Sequence, residues 1–212
     1  MKSRTWPTLC ACAAVLGLFL WATFGLTRGL EHWTFEDLRR DDVRLGRLAA
    51  PAIDLRTADG ATRALWQGGE PAPVYLLDFI YTTCPTLCQA LGSEYARMQA
   101  QLLAAPPDAA APKLLSLSFD LERDRRDALA AYARLHGADA RIWTVAAPLT
   151  RAGRDALLAR LGVVVVADGF GGYVHNGSIL VVDRRGTVRG VFDVAQWQQA
   201  LAAARRVAEA AS

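Results

Sequence analysis

The run Val74–Tyr81 constrains the fold more than any other stretch of the chain. Its residues are apolar except for Asp78. A continuous apolar run of this length does not alternate, and it is too short for a membrane span. It predicts a strand buried on both faces, central in a sheet that helices cover. A helix is expected next, from about Pro85 to Leu103, with Pro106, Pro107 and Pro112 ending it in a loop. Lys113–Phe119 reads as the next strand. Asp124 to His136 reads as a helix closed by Gly137. Arg141–Val145 is a short strand, Thr150 caps a helix to Leu161, and Val163–Ala167 is a β-branched strand. Two hairpins are predicted. One turns at Ala58-Asp59-Gly60, between Ala52–Arg56 and Ala61–Leu65. The other turns at Asp183–Gly186, between Ser178–Val182 and Thr187–Phe192. An amphipathic helix from Val194 to about Ala210 closes the chain. This order predicts a single α/β domain: a mixed sheet with helices on both faces.

Length and composition agree with that reading. At 212 residues, 52% hydrophobic and 21% charged, the chain has material for one core and is not disordered. It carries 24 basic and 21 acidic side chains. The whole basic excess sits in the first 30 residues, as Lys2, Arg4 and Arg28 with no acid among them. The remainder is formally neutral, so the sequence offers no nucleic-acid surface and no nucleic-acid partner is expected. Four cysteines are too few for a disulfide scaffold at this length.

From Trp6 to Leu26 there is no charge, and from Leu9 to Leu26 the only polar side chain is Thr23. As a helix those apolar residues span about 27 Å, close to the roughly 30 Å of a bilayer core. The run leaves through Phe24-Gly25-Leu26-Thr27-Arg28, a poor cleavage site. Residues 1–28 are therefore expected to be an uncleaved signal anchor, a single-pass transmembrane helix. Residues 29–50 are a mixed-charge linker or short helix, and residues 51–212 the folded domain. Arg28, Arg39, Arg40 and Arg44 lie beyond the run, against Lys2 and Arg4 before it. The short basic tail has the character of a signal n-region, which places the domain on the periplasmic face of the inner membrane. Cys10 and Cys12 read as small apolar fillers within that run.

The chemistry concentrates in Tyr81-Thr82-Thr83-Cys84-Pro85-Thr86-Leu87-Cys88. Two cysteines four apart, where a buried strand passes into a helix, fall on one face if both lie in the first turn. Free backbone N–H groups and the helix dipole are then expected to favour thiolate. Pro85 suits a first-turn position. Such a pair can chelate a soft metal ion or close a disulfide, and it can equally be a structural disulfide or two buried thiols. His175 lies in Gly171-Gly172-Tyr173-Val174-His175-Asn176-Gly177-Ser178, a glycine-rich loop able to approach a site built elsewhere. Two thiolates and an imidazole suit Cu(I), and accept Cu(II) with an added oxygen ligand. Asp78 interrupts the central strand and points toward the core or the cysteine turn, either as a structural carboxylate or as a proton carrier. Asp120 and Asp124 fit turn and helix-cap roles. His136 fits a helix C-terminus. His32 reads as solvated.

These pieces resemble the SCO/SenC copper proteins of cytochrome oxidase assembly over roughly residues 50–206. The resemblance is carried by Tyr81-Thr82-Thr83-Cys84-Pro85-Thr86-Leu87-Cys88, by Leu117-Ser118-Phe119-Asp120-Leu121-Glu122-Arg123-Asp124, and by His175 ahead of Ile179-Leu180-Val181-Val182-Asp183. It implies a thioredoxin-like fold, an N-terminal membrane anchor, and one copper per chain, Cu(I) or Cu(II), held by Cys84, Cys88 and His175. Three positions depart from the family pattern. Gln89 and Leu121 stand where prolines are usual, and Val174 where an aspartate precedes the histidine. The implied task is that of a metallochaperone, which turns over nothing. It would deliver copper to the copper-site subunit of cytochrome c oxidase or another copper protein, or keep that centre's cysteines reduced. A thiol–disulfide oxidoreductase with Cys84 and Cys88 as its redox pair is the alternative, as is a copper- or redox-sensing protein. Peroxide scavenging fits less well, because no arginine follows the motif until Arg97.

Overall fold

β3 (Tyr75–Ile80) is the strand that the apolar run predicts, and all its residues are buried. In this computed structural model, which describes residues 5–67, 72–84, 87–106 and 111–210, β3 pairs in parallel with β4 (Lys113–Ser118) and antiparallel with β8 (Ile179–Val182). β5 (Trp143–Pro148) continues in parallel beyond β4. The hairpin β1 (Ile53–Thr57) and β2 (Thr62–Leu65) closes that side antiparallel, and β9 (Val188–Phe192) closes the other beside β8. The seven-stranded order is β2-β1-β5-β4-β3-β8-β9. Both predicted hairpins are present. Val163–Ala167 departs from expectation. Only β6 (Val165–Ala167) is a strand, and it pairs with β7 (Tyr173–His175) in a separate two-stranded ribbon outside the main sheet. β-branched residues favour extended backbone but do not say which sheet receives it.

The helices cover the sheet with the faces their periodicity dictates. α3 (Leu87–Leu103) buries Leu91, Tyr95, Met98 and Leu102. α6 (Trp197–Glu209) follows a 3-10 turn and buries Trp197, Ala200, Leu201, Ala204 and Ala208. Both series repeat at the three- and four-residue steps of one helical stripe. α6 packs on β8, β9 and β3 and touches α3. α4 (Arg126–Leu135) and α5 (Arg151–Arg160) pack on β1 and β5. As expected, Thr150 caps α5, accepting the Gly153 N–H at 3.0 Å. Gly92 on α3 is required by close approach. A methyl there would stand 2.4 Å from the His136 ring, which closes α4.

Asp78 is wholly buried on β3, in register with Ser116 of β4. Burial pushes its carboxyl up to about 7, against the hydroxyls of Ser116 and Tyr95, which hold it down. Ser116 in turn accepts the Trp143 indole N–H at 2.9 Å.

The chain divides into two compact units, residues 1–42 and 43–212. In the first, α1 (Thr5–Leu26) is long and apolar enough to cross a membrane. Arg28 bridges Asp41 and Asp42 at 2.5 and 2.6 Å, and His32 stands 3.7 Å from Asp41. The expected linker contains α2 (Phe35–Arg44). The readings of Lys2, Arg4, Pro85 and Pro107 lie outside the described residues.

Candidate metal and thiol centre

The site gathers where β3 and β4 end, beyond the carboxyl ends of parallel strands, where open α/β sheets place their ligands. After Ile80 the chain turns at Tyr81–Cys84, closed by the Cys84 N–H on the Tyr81 carbonyl at 3.1 Å. Cys84 precedes α3 and Cys88 lies in its first turn. Both stand as thiols and both are buried. The Cys88 N–H, one of the amides a helix start leaves without a backbone partner, donates to Cys84 Sγ at 3.3 Å. The expected common face of a helical turn is corrected: Cys84 lies before α3, and its sulfur meets the helix start through the Cys88 N–H. Thiolate character at Cys88 is corrected. Burial pushes its thiol well up, and the neighbouring Cys84 adds to this, outweighing the Tyr81 backbone. A spacing rule does not report desolvation, which here exceeds the helix-terminus effect.

Asp124 fastens this turn. Its carboxylate accepts the Thr82 N–H at 2.8 Å, the Thr82 hydroxyl at 2.6 Å and the Ser118 hydroxyl at 2.6 Å. The helix-cap role expected for Asp124 is therefore corrected, since α4 begins after Arg125 with no side-chain cap. Asp120 keeps its turn role, accepting the Arg123 N–H at 3.4 Å. Tyr132 Oη donates to the Cys88 carbonyl at 3.1 Å and ties α4 to α3.

His175 is on β7, in a strand where the sequence suggested a loop. Its ring lies edge-on to Phe119, 5.2 Å between centroids. Among the described residues neither ring nitrogen has a hydrogen-bond partner, although both are buried. Burial lowers its pKa, so the imidazole is held neutral with a lone pair to give. Among the described residues, no three His, Cys, Asp or Glu side chains stand close enough together to hold a metal ion. His175 joins the aromatic shell of Tyr81, Phe119 and Tyr173 through its contact with Phe119, and Tyr81 of that shell begins the cysteine turn.

Three anchors hold the ribbon. The Arg123 guanidinium donates to the Gly171 carbonyl. Asn176 accepts the Val164 N–H at 2.7 Å and donates to the Gly162 carbonyl at 3.0 Å. Tyr81 Oη bonds to both polar groups of the Tyr173 backbone at 3.3 Å. Arg123, Asn176 and Tyr81 were not read from sequence as site residues. Tyr81, a hydroxyl that closes the run Val74–Tyr81 three residues before a cysteine, is the one with a visible signal. The arrangement offers either two thiols and a neutral imidazole for a soft metal ion, or a dithiol able to close a disulfide.

A family model described as SCO1/SenC matches residues 69–210. No curated protein matches the chain in sequence. Among solved structures, a SCO1/SenC family lipoprotein from Bacillus anthracis is similar with a TM-score of 0.66 and 17% identity, over 76% of this chain and 96% of that one. BsSco, a member of the Sco family of cytochrome c oxidase assembly proteins with a disulfide switch, gives 0.64 and 19% over 77% and 95%. Bradyrhizobium japonicum ScoI with copper bound gives 0.55 and 20% over 75% and 99%. These likenesses make the fold thioredoxin-like, as the motifs implied. The family model spans the strand, the cysteine turn, the aspartate segment and His175 in one piece, and the chain belongs to the SCO1/SenC family.

Proposed function

We propose that this protein is a membrane-anchored copper carrier that serves assembly of the cytochrome c oxidase copper centre. Cys84 and Cys88 supply the sulfurs and His175 the nitrogen. The observation that carries this reading is a buried imidazole with both nitrogens unengaged among the described residues, in the aromatic shell whose Tyr81 begins the turn of two reduced cysteines. A histidine buried only for packing normally engages at least one nitrogen. Soft thiolates select Cu(I), and a neutral imidazole completes a three-ligand set. Because Cys88 is held protonated by burial, copper entry must release its proton, so affinity rises with pH. α1 tethers the chain to the inner membrane with its domain in the periplasm. Confinement there raises the effective concentration of carrier and acceptor without new contacts.

A second reading, thiol–disulfide exchange that keeps the acceptor's cysteines reduced, is favoured by the contact of Cys84 Sγ with the Cys88 N–H, which brings one sulfur to the residue that carries the other. One experiment separates the two. The reduced full-length chain in detergent is titrated with Cu(I) against a competing chelator. One copper per chain is expected, with large losses in Cys84→Ala and Cys88→Ala, and none bound by the disulfide form. Copper retained by the disulfide form overturns the carrier reading. Catalytic reduction of a protein disulfide by the metal-free chain establishes the exchange reading.

A further inference from the structure

Tyr81 touches both halves of the site. Its hydroxyl donates to the Tyr173 carbonyl and accepts the Tyr173 N–H, each at 3.3 Å. The Cys84 side chain lies within reach of the same hydroxyl. Tyr173 and His175 are two apart on β7, so their side chains leave the strand on one face. That face meets the aromatic shell. Tyr81 lies 5.3 Å edge-on to Tyr173, and Phe119 lies 5.4 Å from Tyr173 and 5.2 Å from His175. A phenylalanine at position 81 would fill this space equally well. The hydroxyl costs desolvation and adds nothing to packing, so its contribution is the bonds it makes. Gly172 permits the approach, since a methyl there would stand 3.1 Å from Tyr81 Oη and 2.6 Å from Asp168 Oδ2.

We propose that Tyr81 is a positioning residue. Its hydroxyl joins the cysteine turn to the strand carrying His175, and so sets how the imidazole approaches the two sulfurs. This rests on the copper reading above.

The test is a double-mutant cycle on the full-length chain in detergent, with Tyr81→Phe, His175→Ala and the double variant. Cu(I) affinity should fall about tenfold in Tyr81→Phe, in the range that partners of metal ligands show. The loss caused by His175→Ala should be about tenfold smaller in the Tyr81→Phe background than in the wild type, because the tie acts through that histidine. Equal losses in both backgrounds overturn the proposal. The second readout uses metal-free protein. Hydrogen exchange at the Tyr173 amide should speed up about tenfold in Tyr81→Phe while the amides of β8 stay unchanged. Unchanged Tyr173 exchange also overturns the proposal. Failure of the wild type to bind copper overturns the copper reading alone, and the exchange result still decides whether Tyr81 holds the strand. Should Tyr81→Phe not fold, Gly172→Ala, which pushes the ribbon from the same hydroxyl, is expected to move both readouts the same way.

Discussion

The cysteine turn and the histidine ribbon, joined in one site by the proposal above, lie at opposite ends of the stability range. The turn grows from a central strand whose residues are all buried, and Asp124 holds it with three hydrogen bonds from 2.6 to 2.8 Å. The ribbon lies outside the main sheet. Val164, Val166 and Val174 are exposed on it, and Phe170 at its tip is 96% exposed. Side-chain anchors to Gly171, Tyr173, Val164 and Gly162 replace a core. Elements with few buried apolar contacts and many exposed hydrogen bonds open locally at low cost, whereas core strands open only with the whole fold. A carrier must hold its metal and also release it. In the copper reading proposed above, one set of ligands built into the core and another on a loosely held ribbon would meet both needs.

The largest expected effect comes from breaking the rigid half. Asp124→Ala leaves the Thr82 N–H and the Thr82 and Ser118 hydroxyls without their acceptor. Each unsatisfied buried group costs about 1–3 kcal/mol, so a loss of about 4 kcal/mol is expected in urea unfolding of the full-length chain. A loss under about 1 kcal/mol would show that the turn does not depend on this carboxylate.

Asp78 of the rigid half and His175 of the ribbon should also respond to pH with opposite sign, with His136 in the rigid half following His175. Asp78 has its folded pKa raised to about 7, so the folded state holds a proton that the unfolded chain releases near 4. Its contribution is full below that lower value and is lost as pH rises through 7, up to about 4 kcal/mol. His175 and His136 have folded pKa values lowered by burial, so their contribution is lost as pH falls below about 6.5. Urea midpoints at intervals from pH 4 to 8 should therefore show Asp78→Asn flattening the alkaline loss and His175→Ala reducing the acid loss. A slope unchanged in Asp78→Asn would mean that this carboxyl does not titrate in the window.

Much of this architecture was legible from local pattern. The unbroken run Val74–Tyr81, the Asp-Gly turn at Asp59-Gly60 and the stripe on α6 are properties of neighbouring residues. Their elements appear where the periodicity put them. What pattern could not give were relations across the fold. Thr82 and Asp124 are 42 residues apart, so Asp124 read as a cap for the nearest helix. The four-residue spacing of Cys84 and Cys88 gave their proximity but not the burial that keeps Cys88 a thiol. Val163–Ala167 had strand composition with nothing to tell the main sheet from a side ribbon.

Gly92→Ala probes a contact in the rigid half of the molecule that no periodicity reveals. Its methyl meets the His136 ring at 2.4 Å, and overpacking of this kind costs about 1–3 kcal/mol. His136→Ala in the same chain should return most of that loss, and a failure to do so would place the strain elsewhere. At the other end of the scale, Phe170→Ser on the ribbon should change the unfolding midpoint by less than about 0.5 kcal/mol, as exposed positions do. A larger loss would mean that the ribbon is less independent of the core than its exposure indicates.

X-ray absorption of the Cu(I)-loaded full-length chain tests most directly the claim that the rigid turn and the loose ribbon share one metal. The account predicts two sulfurs at about 2.2–2.3 Å and one nitrogen near 2.0 Å, with the nitrogen lost in His175→Ala and both sulfurs retained. An identical absorption spectrum in His175→Ala would contradict it, and would leave the histidine ribbon outside the copper site.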